Sequence, residues 1–154
     1  MEASDYYVDG RYEECVASYT AAIASTSGGG PAALAPLLSR RAAALIQLGR
    51  YEDAMADAIE ALRASPDSHL AAYRKGVAAF WLGEFESARD ALRMALDLAG
   101  SSAAAPTTIE VYRKWLRKTD AELRAEAAEE EGGLKFYFAC YHMTEYSNHL
   151  MLFN

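Results

Sequence analysis

The chain has 154 residues, 52% of them hydrophobic and 24% charged, with a formal net charge of −7. That length suits one domain with a sizeable core, and the acidic surplus excludes nucleic acid as the main partner, because phosphate binding needs Lys and Arg in excess on one face. No run of about 18 uninterrupted apolar residues occurs, so no membrane-spanning helix is expected. Cys15 and Cys140 lie far apart and no secretory succession opens the chain. Reduced thiols follow, in the cytoplasm and also in the nucleus.

In chain order, a first unit is marked by Gly10, Tyr12, Cys15, Tyr19 and Ala22-Ile23 at fixed offsets. A second carries Gly49-Arg50-Tyr51-Glu52-Asp53-Ala54 and then Ala61-Leu62. A third repeats it as Gly83-Glu84-Phe85-Glu86-Ser87-Ala88 and Ala95-Leu96, 34 positions further on. Gly10 to Gly49 spans 39 positions, and the excess falls in Ser25-Thr26-Ser27-Gly28-Gly29-Gly30-Pro31, which reads as a flexible inter-repeat loop. A period of about 34 residues resembles the tetratricopeptide repeat, two antiparallel helices per unit. Such units cannot bury their apolar faces alone, so they stack into a superhelix with a concave binding side. The expected fold is all-α: three helix-turn-helix repeats, at about 1–27, 35–66 and 69–100, plus a C-terminal capping helix.

In the second unit, helices over 35–48 and 51–64 are predicted, with Gly49 as C-cap and Ser65-Pro66 as the stop. The third repeats the plan over 70–82 and 85–98, with Gly83 between the helices and Gly100-Ser101-Ser102 after them. Ala42, Ala54, Ala61, Gly76, Ala88 and Ala95 are placed where helices cross, since small side chains let backbones approach.

The capping helix is expected over about 106–131, completing a repeat domain of residues 1–131. Thr107 and Glu110 have capping-box spacing behind Pro106. Ile109, Tyr112, Leu116 and Leu123 recur at helical spacing with Trp115 beside them. Arg113, Lys114, Arg117 and Lys118 supply the polar face, either a solvated stripe or a docking patch for an acidic partner. After Gly132-Gly133 the composition turns aromatic, and residues 132–154 do not continue the repeat. They read as a truncated piece of a following domain, a tail packed on the solenoid, or a non-homologous end from splicing or gene-model error. The last is preferred, and the segment is not expected to be a domain.

Catalysis needs a nucleophile with a base, paired carboxylates or clustered metal ligands. Cys140, His142 and His149 match no four-ligand zinc spacing, His69 sits alone in a turn as a surface residue, and Gly28-Gly29-Gly30 lacks the ending of a phosphate-binding loop. No enzyme activity, cofactor or metal is therefore expected. The informative surface is the groove. Its lining is predicted to include Ser4 and Tyr7 of the first unit, Ser39, Arg40, Ala43 and Gln47 of the second, and Tyr73, Arg74, Val77 and Trp81 of the third. Arg40 and Arg74 occupy matching positions of successive units, two guanidinium forks suited to carboxylates. Tyr7, Tyr73 and Trp81 offer rigid contact area, although Tyr7 and Trp81 also fit inter-helix packing.

Ser39 to Tyr51, with Ala56-Asp57-Ala58 and Ala72-Tyr73-Arg74-Lys75-Gly76, resembles the tetratricopeptide domains of co-chaperones. Tyr112-Arg113-Lys114-Trp115-Leu116-Arg117-Lys118-Thr119-Asp120-Ala121-Glu122-Leu123, following three repeats, resembles the segment after the repeats in the SGT family, the suppressor of the G-two allele of Skp. That resemblance implies an adaptor linking heat-shock chaperones and Skp-type ubiquitin-ligase components, self-associating in some members and so a candidate homodimer. The family continues into a chaperone-engaging CS domain, which residues from Leu134 do not resemble. The alternative family is the dicarboxylate-clamp co-chaperone, which grips chaperone C-terminal peptides. Arg74 matches its clamp arginine, but Leu70 and Arg40 stand where a lysine and an asparagine belong, and the first helix offers Ser4 and no lysine. A truncated regulatory isoform that occupies partners unproductively is a further alternative.

Overall fold

The computed structural model describes the backbone of residues 3–26 and 30–151 and the side chains of residues 3–26 and 30–135. Among the described residues there are seven helices and no strand: α1 Ala3–Val8, α2 Tyr12–Ser25, α3 Gly30–Gln47, α4 Tyr51–Ala64, α5 His69–Trp81, α6 Phe85–Ser101 and α7 Pro106–Met151. Consecutive helices pair as α1/α2, α3/α4 and α5/α6, and α3 also packs on α5. The chain divides into two compact units, Met1–Asp120 and Ala121–Asn154; among the described residues the apolar clusters lie in the first.

Each hairpin turns in the same way. Gly10, Gly49 and Gly83 take φ of 73°, 72° and 77°, the left-handed region that a side chain makes costly and glycine enters freely. Around Gly49, its own N–H donates to the Ile46 carbonyl at 3.1 Å and Arg50 N–H donates to the Leu45 carbonyl at 2.9 Å. The Gly83 turn repeats both bonds, to Phe80 at 3.1 Å and from Glu84 to Ala79 at 2.9 Å. This doubly bonded ending satisfies carbonyls that a helix end leaves orphaned, so the sequence repeat is a repeat of backbone geometry.

Other boundaries follow local chemistry. Ser65, ahead of Pro66, is extended at φ −145°, as the proline ring demands of its predecessor. The Ser68 hydroxyl accepts the Ala71 N–H at 3.3 Å and caps α5. α3 begins at Gly30, earlier than expected, with Pro31 in its first turn, where a missing N–H costs nothing. Ser27, Gly28 and Gly29 of the expected loop lie outside the described residues.

Three expectations are corrected. The third unit does not stop at Gly100: α6 runs on to Ser101 and reverses at Ala103, φ 53°, where Ala104 N–H reaches the Ala99 carbonyl at 3.1 Å. Thr107 and Glu110 form no capping box. Ala105 accepts from Thr108 and Ile109 N–H, while the Glu110 carboxylate accepts from Arg117 at 2.7 Å. Finally, α7 does not end near residue 131 but continues as helical backbone through Gly132 and Gly133 to Met151. A helical glycine costs only about 1 kcal/mol against alanine, and neither of these takes the positive φ that ends the other helices.

The crossings are built on small residues. Ala42, Ala54, Ala61, Ala88 and Ala95 are fully buried. A Cβ on Gly76 would stand 2.7 Å from Leu92 Cγ and 3.2 Å from the Ala88 carbonyl oxygen, so α5 and α6 touch backbone to side chain. Leu92 belongs to the largest apolar cluster, with Tyr73, Val77, Ala95 and Tyr112, and Trp115 and Leu116 pack against it. Through Tyr112 the start of α7 covers the flank of α5 and closes the last hairpin.

Candidate functional site

The concave side holds a groove of about 540 Å³. Its lining comes from the first helices of all three hairpins: Ser4, Tyr7 and Val8 of α1, Ser39, Arg40 and Ala43 of α3, and Leu70 and Arg74 of α5, with Tyr19 reaching in from α2. Arg40 is exposed and Arg74 half-buried, its guanidinium 5.0 Å over the Tyr73 ring. Among the described residues no carboxylate pairs with either arginine, and the lining contains no Asp, Glu or Lys. In a chain of net charge −7 the groove is a local concentration of positive charge.

Not every predicted groove residue lines it. Ser4, Tyr7, Ser39, Arg40, Ala43 and Arg74 do. Tyr73 and Val77 are buried in the core: Tyr73 stacks on Tyr112 with ring centroids 4.5 Å apart, and burial pushes its hydroxyl above the ordinary tyrosine range. Gln47 is exposed at the C-terminal end of α3, outside the lining. Trp81 lies in an aromatic seam, stacked on Tyr51 at 5.6 Å and edge-on to Trp115 at 6.4 Å, yet it stays 48% exposed. Tyr7 does both things considered for it, meeting Tyr12 edge-on at 5.4 Å while facing the groove.

The four cations predicted as the polar face of α7, Arg113, Lys114, Arg117 and Lys118, are all exposed. Arg117 and Arg113 share Glu110, at 2.7 and 3.9 Å. The Lys118 ammonium stands 4.4, 4.9 and 5.1 Å from the rings of Phe80, Trp81 and Trp115, an attraction worth about 0.5–2 kcal/mol by position, and so helps pin α7 to α5. Lys114 is exposed.

Two interior polar features carry no sequence motif. The Arg41 fork donates to Asp57 from Nε and Nη2, both at 2.7 Å, and Nη1 donates to the Thr20 hydroxyl at 3.1 Å. One guanidinium thus ties α2, α3 and α4 together, and its hydrogen bond to Asp57 raises its pKa further. His69, expected to be a surface residue, is half-buried at the start of α5, with Nδ1 2.9 Å from the Tyr112 hydroxyl. Burial pushes that hydroxyl up to about 12. The described residues contain no group of three or more His, Cys, Asp or Glu placed to hold a metal. The side chains of Cys140, His142 and His149 lie outside the described residues. No described helix is long and apolar enough to cross a membrane.

Stacked hairpins turning on one glycine geometry, their first helices sharing a concave face, define a tetratricopeptide-repeat domain. Residues 35–68 match the tetratricopeptide repeat family. The TPR2B domain of yeast Sti1, solved in its pHsp70 complex, is similar with a TM-score of 0.70 and 25% identity over 79% of this chain and 92% of that one. The first TPR of Spaghetti (RPAP3), bound to the HSP90 peptide SRMEEVD, gives 0.65 and 25% over 79% and 87%. The Sgt2 TPR domain from Aspergillus fumigatus gives 0.69 and 23% over 82% and 77%, a likeness of fold. The Protein SGT1 homolog of Oryza sativa subsp. japonica is 30% identical over 128 residues, 83% of this chain. The chain carries an SGT-type tetratricopeptide domain, and it spans 32% of that relative's length.

Proposed function

We propose that this chain is a protein-binding adaptor of the co-chaperone type, whose groove holds an acidic segment of a partner protein without transforming it. The observation that carries this reading is the groove's charge: two guanidiniums, no acidic side chain in the lining, and among the described residues no carboxylate paired with either one. An arginine fork left open on a concave face fits planar carboxylates in two-point hydrogen bonds. Val8, Leu70, Tyr7 and Tyr19 add apolar area to the same lining, so the ligand class is an acidic peptide with an apolar side chain among its acids. The Sti1 and Spaghetti domains are described in complexes with pHsp70 and with the HSP90 peptide SRMEEVD, which supports chaperone tails as partners.

The similarity to the rice SGT1 homolog supports a second partner, a Skp-type ubiquitin-ligase component, so that the adaptor would join chaperone and ligase machinery in the cytoplasm or nucleus. In the stretch that carries the resemblance, Tyr112 and Thr119 point inward and Arg113, Lys114 and Arg117 outward. A ligase component would therefore meet the basic side of α7, a surface separate from the groove.

Titration with SRMEEVD tests the groove reading. Micromolar binding is expected, lost when its Glu and Asp are replaced by Gln and Asn, and weakened tenfold or more by Arg40→Ala or Arg74→Ala. Each charged hydrogen bond contributes about 1.5–3 kcal/mol, which makes a tenfold loss a lower bound. Equal affinity for the acidic and amidated-side-chain peptides would sink the reading.

A further inference from the structure

Resting on the acidic-peptide reading, we infer that the groove recognises two acidic side chains within an extended segment, two or three residues apart, and does not depend on a chain-terminal carboxylate. The two forks hang from different helices, Arg40 from α3 and Arg74 from α5, and these pack directly on each other. Axes of packed helices lie about 8–10 Å apart.

The two forks also differ in what holds them. Arg74 lies against Tyr73 at 5.0 Å, and Tyr73 is fixed by its stack on Tyr112 of α7 at 4.5 Å. Its guanidinium is thereby held against the Tyr73 ring of α5, while Arg40 belongs to α3. One carboxylate would satisfy one fork and leave the other open. Two acids satisfy both.

Extended chain offers that spacing. Side chains at i and i+2 of a strand share a face about 6.6 Å apart, and at i and i+3 of a polyproline-type segment about 9 Å apart. The rest of the lining brings no ammonium and no side-chain amide to hold a terminal carboxylate at the end of the peptide; its remaining polar groups are the hydroxyls of Ser4, Ser39, Tyr7 and Tyr19. Leu70, 47% exposed on the α5 side, faces the residue between the acids, which favours an apolar one.

The test compares SRMEEVD with the same peptide carrying a C-terminal amide, which removes the terminal carboxylate and keeps all three acidic side chains. Dissociation constants are measured with the intact chain and with Arg40→Gln, Arg74→Gln and the control Arg63→Gln. The two peptides are expected to bind within threefold of each other, each fork variant to lose tenfold or more for both, and Arg63→Gln to bind as the parent does. A tenfold or greater loss on amidation, with the free-ended peptide still bound, overturns the inference and leaves the acidic-groove reading standing. Binding of neither peptide overturns both.

Discussion

Arg40 and Arg41 are neighbours in α3 with opposite fates. Arg41 is used by the fold, its fork closed on Asp57 and Thr20, whereas Arg40 lines the groove, where no Asp or Glu stands among the described residues. α5 shows the same division: Arg74 opens to the groove, and two residues on, Gly76 lies so close to Leu92 that a methyl group does not fit. One face of each first helix is committed to stability and the other is kept for recognition. Charge alone does not separate the two roles; the separation comes from whether the neighbouring helix supplies a partner.

Substitutions should divide along that line. The largest loss is expected from Asp57→Ala, which strands the Arg41 guanidinium. A fully buried pair broken this way costs about 3–5 kcal/mol. Because Arg41 keeps 21% of its side chain exposed, about 2–3 kcal/mol is expected in urea unfolding, with peptide affinity changed less than twofold. Next comes Gly76→Ala, where the new methyl must displace Leu92 or spread α5 from α6, at about 1–3 kcal/mol. Smallest in stability, and largest in binding, are Arg40→Ala and Arg74→Ala, within about 0.5 kcal/mol of the parent in unfolding. Should either groove arginine cost as much stability as Asp57, the division would be wrong.

The parts legible in the sequence are those that one residue's own backbone demands. Gly49 and Gly83 show where the chain reverses because few other residues take φ near +75° cheaply, and their 34-residue spacing sets the hairpins. The offset between Arg40 and Arg74 follows from the same count. What escaped was set by helix crossing. Arg41 and Asp57 are 16 residues apart on different helices, and no periodicity says which face of α4 meets which face of α3. Tyr73 and Val77 pack with Tyr112 of α7, so a repeat position that predicted them in the groove did not show that another helix fills the space. The length of α7 escaped for another reason: Gly132-Gly133 reads as a break, but a stop needs a left-handed residue with its carbonyls recaptured, and neither glycine adopts that conformation.

The chain's two tryptophans are both at the α5–α7 seam, with ring centroids 6.4 Å apart beneath the same lysine ammonium. Indole emission is therefore a local gauge, reporting whether the last hairpin and its covering helix are joined and blind to α1 through α3. Circular dichroism sums every helix. In a stack where each unit leans only on its neighbours, the two signals need not melt together, and the gap between their midpoints would measure how far the hairpins come apart one at a time.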